Sequence, residues 1–151
     1  MRNSYVILAA LMVGGGTTIQ DTGGTTEQIN ARYVQEHTER IAGHETEPSS
    51  RVFKNIRLKW FKDVPAGQLV DIMNGGYSRA LGVRCTYCHN PADFASDEKR
   101  TKRAAREMAT MHWNINQALA SMRNLESSRD DRFINCATCH RGQVDPHEQP
   151  H

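Results

Sequence analysis

The four cysteines of this 151-residue chain form two short motifs, in each of which a histidine directly follows the second cysteine. The first motif is Cys85-Thr86-Tyr87-Cys88-His89, and the second is Cys136-Ala137-Thr138-Cys139-His140. C-x-x-C-H is the attachment signature of c-type haem, in which two thiols tether the porphyrin and the histidine binds the iron. A zinc site and a redox-active cysteine pair are the alternatives. Two complete motifs without a spare thiol favour two c-type haems.

The side chain at the sixth iron position separates electron carriers from ligand-binding or catalytic haems. Methionine is a soft donor that raises the reduction potential when it binds opposite histidine. The candidates outside the amino terminus are Met73, Met108, Met111 and Met122. Met73 can reach the first iron. Met108 and Met111 lie on one predicted helix, and either can face the second iron, with His112 as a further alternative.

Residues near the motifs are candidates for contact with the porphyrins. Arg84 and Arg141 either pair with haem propionates through bidentate hydrogen bonds or are solvated. His37 and His44 are expected to be exposed, with ligation of a neighbouring chain's haem as the alternative. A basic run at the start of the long predicted helix forms a solvated face, offsets propionate charge or docks an acidic partner. It comprises Lys99, Arg100, Lys102, Arg103 and Arg106. The aromatic residues expected to pack on the porphyrins are Tyr87, Phe94, Trp113 and Phe133.

The segments that must position these residues have helical patterns. A polar helix is predicted over residues 27–41, and a second helix begins at Pro65 and runs to about Arg79. Ser96 is predicted to cap a long helix that reaches about Met122. The expected fold is mostly α, with a helix followed by C-x-x-C-H repeated twice and little or no sheet.

Composition and the amino terminus suggest an exported, cofactor-filled protein. Only 38% of residues are hydrophobic, so bound porphyrins would supply missing apolar bulk, and a net charge of +2 does not indicate nucleic acid. Residues 1–24 are interpreted as a signal peptide or short apolar leader plus linker. The remaining expected divisions are a polar amino-terminal arm (25–50), a dihaem cytochrome c domain (51–147) and a tail (148–151). The expected location is the periplasm or the outer side of the inner membrane.

Longer stretches around the motifs carry a family resemblance. The stretches are 81–90, 94–99, 105–111, 115–116 and 139–142. Over roughly residues 53–146 the chain resembles the photosynthetic reaction-centre cytochrome c subunit family. The resemblance implies that a helix before each motif donates a methionine to the iron. Met73 would serve the first haem, although it stands one residue further from its motif than is usual, and Met108 would serve the second.

The best-known members of that family have four haems, so a chain with two motifs resembles a half-length relative. The resulting prediction is an electron-transfer cytochrome with two His/Met-ligated haems, and not an enzyme. Its expected partners are redox proteins, such as a membrane-bound photosynthetic reaction centre or a respiratory complex, with neither nucleic acid nor a small-molecule substrate. The alternatives are a subunit of a larger multihaem assembly or polymer and a dihaem peroxidase-type enzyme.

Overall fold

A computed structural model describes residues 23–128 and 131–147. The expected leader lies outside the described residues, apart from Gly23 and Gly24, and so does the expected tail. Among the described residues, no helix is long and apolar enough to span a bilayer.

Helices dominate this part of the chain, and the mostly α prediction is confirmed. Within the described ranges, strand-type pairing is limited to isolated bridges, Pro48 with Pro65 and Asn90 with Asp93. The helical elements are α1 (Thr26–Arg40), α2 (Ser49–Val52), a 3-10 turn (Lys59–Phe61), α3 (Ala66–Asp71), a π-helical segment (Ile72–Ser78), α4 (Arg79–Leu81), α5 (Cys85–Cys88), α6 (Arg100–Ser121) and α7 (Cys136–His140).

Helix α1 begins with a reciprocal cap and buries one face. The Gln28 amide donates to Thr25 Oγ1 at 3.3 Å, and the Thr25 amide donates to Gln28 Oε1 at 2.9 Å. These bonds satisfy two amides that the first helical turn leaves unpaired. Ile29 and Tyr33, one helical turn apart, are buried, and α1 packs against α3. Burial of this face holds α1 next to the first cysteine motif.

Helix α3, the π-helical segment and α4 form one continuous helix from Ala66 to Leu81. Pro65 precedes the first helical residue, where its missing amide hydrogen costs no helical hydrogen bond. The helix continues beyond the expected end at Arg79 and stops at Gly82, whose φ of 66° is left-handed. The chain can therefore turn sharply into the first motif.

The long helix α6 begins at Arg100, later than the predicted cap at Ser96. Asp97 does not serve the helix terminus, because its carboxylate binds Arg106 and Arg57, each at 2.8 Å. Ser96 Oγ accepts a hydrogen bond from the Glu98 amide within a local turn. Tertiary ion pairs thus compete successfully with capping, and residues 94–99 remain a loop beside His89.

Candidate haem-binding sites

The first motif lies in the wall of a cavity of about 470 Å³, which is within the size range of cofactor pockets. The cavity is lined by Cys85, Cys88 and His89 of the first motif. Met73 of the π-helical segment and Phe94 of the loop before α6 also line it. Residues from separate parts of the sequence, all expected at the first haem, therefore meet around one cavity.

The His89 ring is oriented by its surroundings. His89 Nδ1 donates to the Phe94 carbonyl oxygen at 2.9 Å, and the Phe94 ring stacks on the imidazole with centroids 4.8 Å apart. Burial, followed in smaller measure by nearby positive charges, lowers the His89 pKa to about 4, although the bond to Phe94 opposes this. A neutral ring with its proton on Nδ1 keeps Nε2 available for a metal.

Asn30 holds the backbone just before the first motif. This residue of α1 is only 4% exposed, and its Nδ2 donates to the Val83 carbonyl oxygen at 3.0 Å. Its Oδ1 accepts from the Cys85 amide at 2.8 Å. The sequence contains no local signal for this contact, because Asn30 and Cys85 are far apart along the chain.

The cysteine thiols suit covalent attachment of haem. All four are free, and burial raises the pKa of Cys88 and of Cys136. Net addition of a thiol S–H across each vinyl C=C bond would form the thioether, with sulfur as the nucleophile and no leaving group. Paired thiols, an imidazole with an available Nε2 and a cavity with predominantly apolar walls fit the c-type haem that the motif implies.

The second motif borders a cavity of about 380 Å³. Cys136 lies in its wall, and α6 contributes Ala109, His112 and Trp113. Trp113 stacks on Trp60 with centroids 5.0 Å apart and planes within 5°. The expected aromatic contact at Trp113 thus falls on the second cavity, and Trp60 lies in the same wall.

Asn116 and His140 do not line the second cavity, but their hydrogen bonds around the second motif resemble those around the first. The Asn116 side chain accepts from the Ile134 amide at 2.8 Å and donates to the Ile134 carbonyl oxygen at 3.0 Å. His140 Nδ1 lies 3.1 Å from the Gln143 carbonyl oxygen and 3.0 Å from that of Val144. These bonds again engage Nδ1 and keep Nε2 available for a metal.

Several residues expected at the second haem are exposed. Met108 and Met111 are 42% and 47% exposed, and α6 presents Ala109, His112 and Trp113 to the cavity instead. Cys139 is also exposed. His112 Nε2 lies 2.7 Å from the Ile134 carbonyl oxygen, so this nitrogen already has a backbone partner.

Other predicted contact residues differ in their exposure. Arg84 lines the first cavity, whereas Tyr87 on α5 is 40% exposed. Phe133 and Arg141 are exposed at opposite ends of α7. Arg141 has a φ of 50°, a left-handed value that ends α7.

Phe61 and Tyr77 line both cavities. Their ring centroids are 6.5 Å apart in an edge-on arrangement. Burial, with smaller contributions from Cys136 and Cys88, raises the Tyr77 pKa, so its hydroxyl stays neutral. The two sites are therefore neighbours with a common aromatic wall, which sequence spacing alone could not predict.

His37 differs from its expected exposure, whereas His44 agrees with it. His37 lines the first cavity, its ring lies edge-on to Phe94 with centroids 4.3 Å apart, and its Nε2 is buried without a hydrogen-bond partner. Burial lowers the pKa of His37. His44 is exposed and pairs with Glu47 at 2.6 Å, which raises the His44 pKa.

Cations at the start of α6 bind the chain itself. Lys99 donates to the Thr86 carbonyl oxygen. Lys102 Nζ donates to the carbonyl oxygens of Phe94 at 2.6 Å and Ser96 at 2.8 Å. Arg106 Nη1 binds Asp97 at 2.8 Å. These bonds fasten the loop over His89, so the basic run is more than a solvated face.

Comparison with known proteins agrees with this geometry. The model of the family described as "Photosynthetic reaction centre cytochrome C subunit" matches residues 11–149. Cytochrome c-554 of Chloroflexus aurantiacus is 38% identical over 76 residues, which cover 50% of this chain and 17% of the relative. The photosynthetic reaction center cytochrome c subunit of Rubrivivax gelatinosus is 35% identical over 83 residues, covering 46% and 22%. That of Roseobacter denitrificans is 37% identical over 67 residues, covering 42% and 17%. The chain thus spans about a fifth of the length of these curated relatives.

Proposed function

Because this chain belongs to the photosynthetic reaction centre cytochrome c subunit family, we propose that it is a dihaem c-type cytochrome that transfers electrons and is not an enzyme. The family is one of c-type cytochromes, and membership implies covalently bound haem c. When bound, haem c supplies an iron that takes up or releases one electron. The observation that carries the proposal is the cavity at which Cys85, Cys88, His89 and Met73 meet.

The proposed ligands are a histidine and a methionine for each iron. His89 and Met73 would hold the first haem, and His140 and Met108 the second. Hydrogen bonds at Nδ1 of both histidines support the proximal assignment, because they keep Nε2 available. With a histidine and a methionine as ligands, each iron could change charge without exchanging ligands, which would suit electron transfer.

The partner and the location follow from the same family. We propose that the chain is exported, and that it acts at the outer side of the inner membrane. Its proposed partner is a redox complex such as a photosynthetic reaction centre or a respiratory complex. The phrase "Photosynthetic reaction center" in the names of two relatives supports the first choice.

The test is the intact mass, the metal content and the spectrum of the matured protein. Two haems and two iron atoms per chain are expected, with a methionine-to-iron charge-transfer band for each haem. Met73→Leu and Met108→Leu should each remove one haem's band, whereas Met111→Leu should leave both. A colourless or zinc-containing protein would overturn the proposal. Loss of a band in Met111→Leu would overturn the Met108 assignment alone.

A further inference from the structure

Two donors from different elements meet at one backbone oxygen beside the first site. His89 Nδ1 lies 2.9 Å from the Phe94 carbonyl oxygen, and Lys102 Nζ lies 2.6 Å from the same atom. A carbonyl oxygen can only accept hydrogen bonds, so both groups donate. The histidine of the first motif is therefore one carbonyl away from an ammonium group.

Lys102 is held at this position within the protein. The residue is only 8% exposed, and it lines the first cavity. Its Nζ also donates to the Ser96 carbonyl oxygen at 2.8 Å and lies 3.8 Å from Asp97 Oδ1. Burial and the Arg106 charge lower the Lys102 pKa, while Asp97 opposes that shift. Two carbonyl acceptors and a carboxylate together favour the charged ammonium.

A cation on the shared carbonyl would raise the reduction potential of a haem iron bound to His89, for two reasons. It draws electron density from the Phe94 oxygen, so that oxygen becomes a weaker acceptor for His89 Nδ1–H and the imidazole becomes a weaker electron donor. Its positive charge also favours the iron state with one positive charge fewer, an effect that water screens poorly inside a protein. Both effects favour the reduced iron.

The charged surroundings of the first site have no counterpart among the described residues of the second cavity wall. His140 Nδ1 is bound by the carbonyl oxygens of Gln143 and Val144, and Val144 is 43% exposed. The described residues that line the second cavity include neither lysine nor arginine. Lys102 belongs to the wall of the first cavity alone, so its effect is local.

We propose that Lys102 is a positioning residue that acts through the Phe94 carbonyl and His89 to raise the reduction potential of the first haem and not that of the second. This inference rests on the proposed function, because it requires a haem at each motif. It assigns to this chain a built-in difference between its two electron sites.

The experiment is a redox titration of the full, matured protein and its Lys102→Met variant. The haems are assigned through the Met73→Leu variant, which changes the spectrum of the first. In Lys102→Met the reduction equilibrium of the first haem should shift about tenfold towards the oxidised form, about 59 mV for a one-electron couple. The second haem should shift by less than about a third of that value. The hyperfine-shifted ring protons of His89 should move as well.

Three further variants separate this role from a structural one. Arg100→Met removes an exposed cation at the start of α6, where water screens the charge, and it should leave both potentials in place. Lys102→Arg keeps the charge and should keep the first potential. Lys102→Gln, which keeps a neutral donor, should reproduce the shift if Lys102→Met does not mature.

Three outcomes would overturn the role of Lys102. The first is an unchanged potential of the first haem in the neutral variants, and the second is an equal shift of both haems. The third is a shift in Lys102→Arg as large as that in Lys102→Met. Those outcomes leave the dihaem function standing, since that function fails only if the unmodified protein lacks two haems.

Discussion

Asn30 and Asn116 have the same role at the two motifs. Each is a helical residue whose side chain both donates to and accepts from the backbone just before a C-x-x-C-H sequence. An amide side chain suits this task because it carries a donor and an acceptor in one planar group. The start of each motif is thus fixed by the protein itself, so the adjoining thiols and imidazole need little rearrangement to hold a porphyrin.

Asp97 also organises the surroundings of the first site, because its carboxylate binds nearby cations. Its carboxylate binds Arg57 and Arg106, each at 2.8 Å, and accepts from Asn55 Nδ2 at 2.8 Å. Burial by itself would raise the Asp97 pKa. Hydrogen bonds from Arg106 and Asn55, together with the Arg106 and Arg57 charges, lower the pKa below its usual value of 3.8.

Asp97→Asn should therefore destabilise the protein in a pH-dependent way. A carboxylate whose folded pKa is depressed contributes stability above its unfolded pKa and loses it as the pH falls through the folded value. At pH 7 the variant should lose about 1 to 2 kcal/mol of unfolding free energy. The difference from the unmodified protein should shrink as the pH falls below about 3.8. Denaturant titrations at several pH values measure both quantities.

Glu107→Gln is the control for this prediction, since it neutralises an exposed carboxylate on the same helix α6. It should change the unfolding free energy by less than about 0.5 kcal/mol at every pH. A pH-independent difference for Asp97→Asn would show that the lost contribution is packing and not charge.

At the scale of elements, the π-helical segment Ile72–Ser78 determines where Met73 lies relative to the first motif. A π turn closes its hydrogen bond one residue later than an α turn, so it absorbs one additional residue without moving the flanking helix. Met73 stands one residue further from its motif than is usual in the family that the sequence resembles. The segment therefore explains how Met73 can still line the first cavity.

Deletion of Gly75 should convert this segment into ordinary α-helix. Gly75 lines the second cavity, and a Cβ there would meet no protein atom within 4 Å. The deletion variant should still acquire two haems and keep the methionine-to-iron band of the first, as mass and absorption spectra would record. Circular dichroism should show equal or higher thermal stability, because a helix interior loses a glycine.

Deletion of Ala104 in α6 is the matched control. One residue fewer in a regular α-helix rotates all that follows by about 100°. Ala109, His112 and Trp113 would leave the second cavity, and the second haem should be lost or altered. If the Gly75 deletion removed the first haem's methionine band, the interpretation of the π segment would be wrong.

The mostly α fold could be predicted from the sequence because helical periodicity and C-x-x-C-H spacing are local. The start of α6 could not be predicted from the sequence, because Asp97 binds Arg57 and Arg106 across the fold instead of helping to cap the helix. The contact of Asn30 with Cys85 is likewise tertiary and has no local signal in the sequence. The partial burial of His37 could have been predicted, because His37 lies four residues after the buried Tyr33 on α1.

At the scale of the whole molecule, the two sites form one unit. Phe61 and Tyr77 belong to both cavities, and α4 packs against α7. The Gly142 amide donates to the Ala80 carbonyl oxygen at 2.9 Å, which joins the helix before the first motif to the residues after the second. If each site holds a haem, as proposed, Phe61 and Tyr77 would lie between the two haems, and this junction would hold the surrounding helices together.

Gly82→Ala should loosen that junction. Gly82 has a φ of 66°, and a Cβ built there would overlap the Gly142 carbonyl oxygen. The left-handed backbone alone should cost at least about 1 kcal/mol of unfolding free energy, and the overlap adds to it. Because the clash moves α7 away from α4, electron exchange between the haems should also slow, which pulse radiolysis of the half-reduced protein can follow.

Gly67→Ala, whose Cβ would make ordinary 3.5 Å contacts with Glu45, should leave the exchange rate unchanged and the stability equal or higher. If Gly82→Ala lowered stability without slowing the exchange, the aromatic wall would keep its thickness independently of the glycine junction.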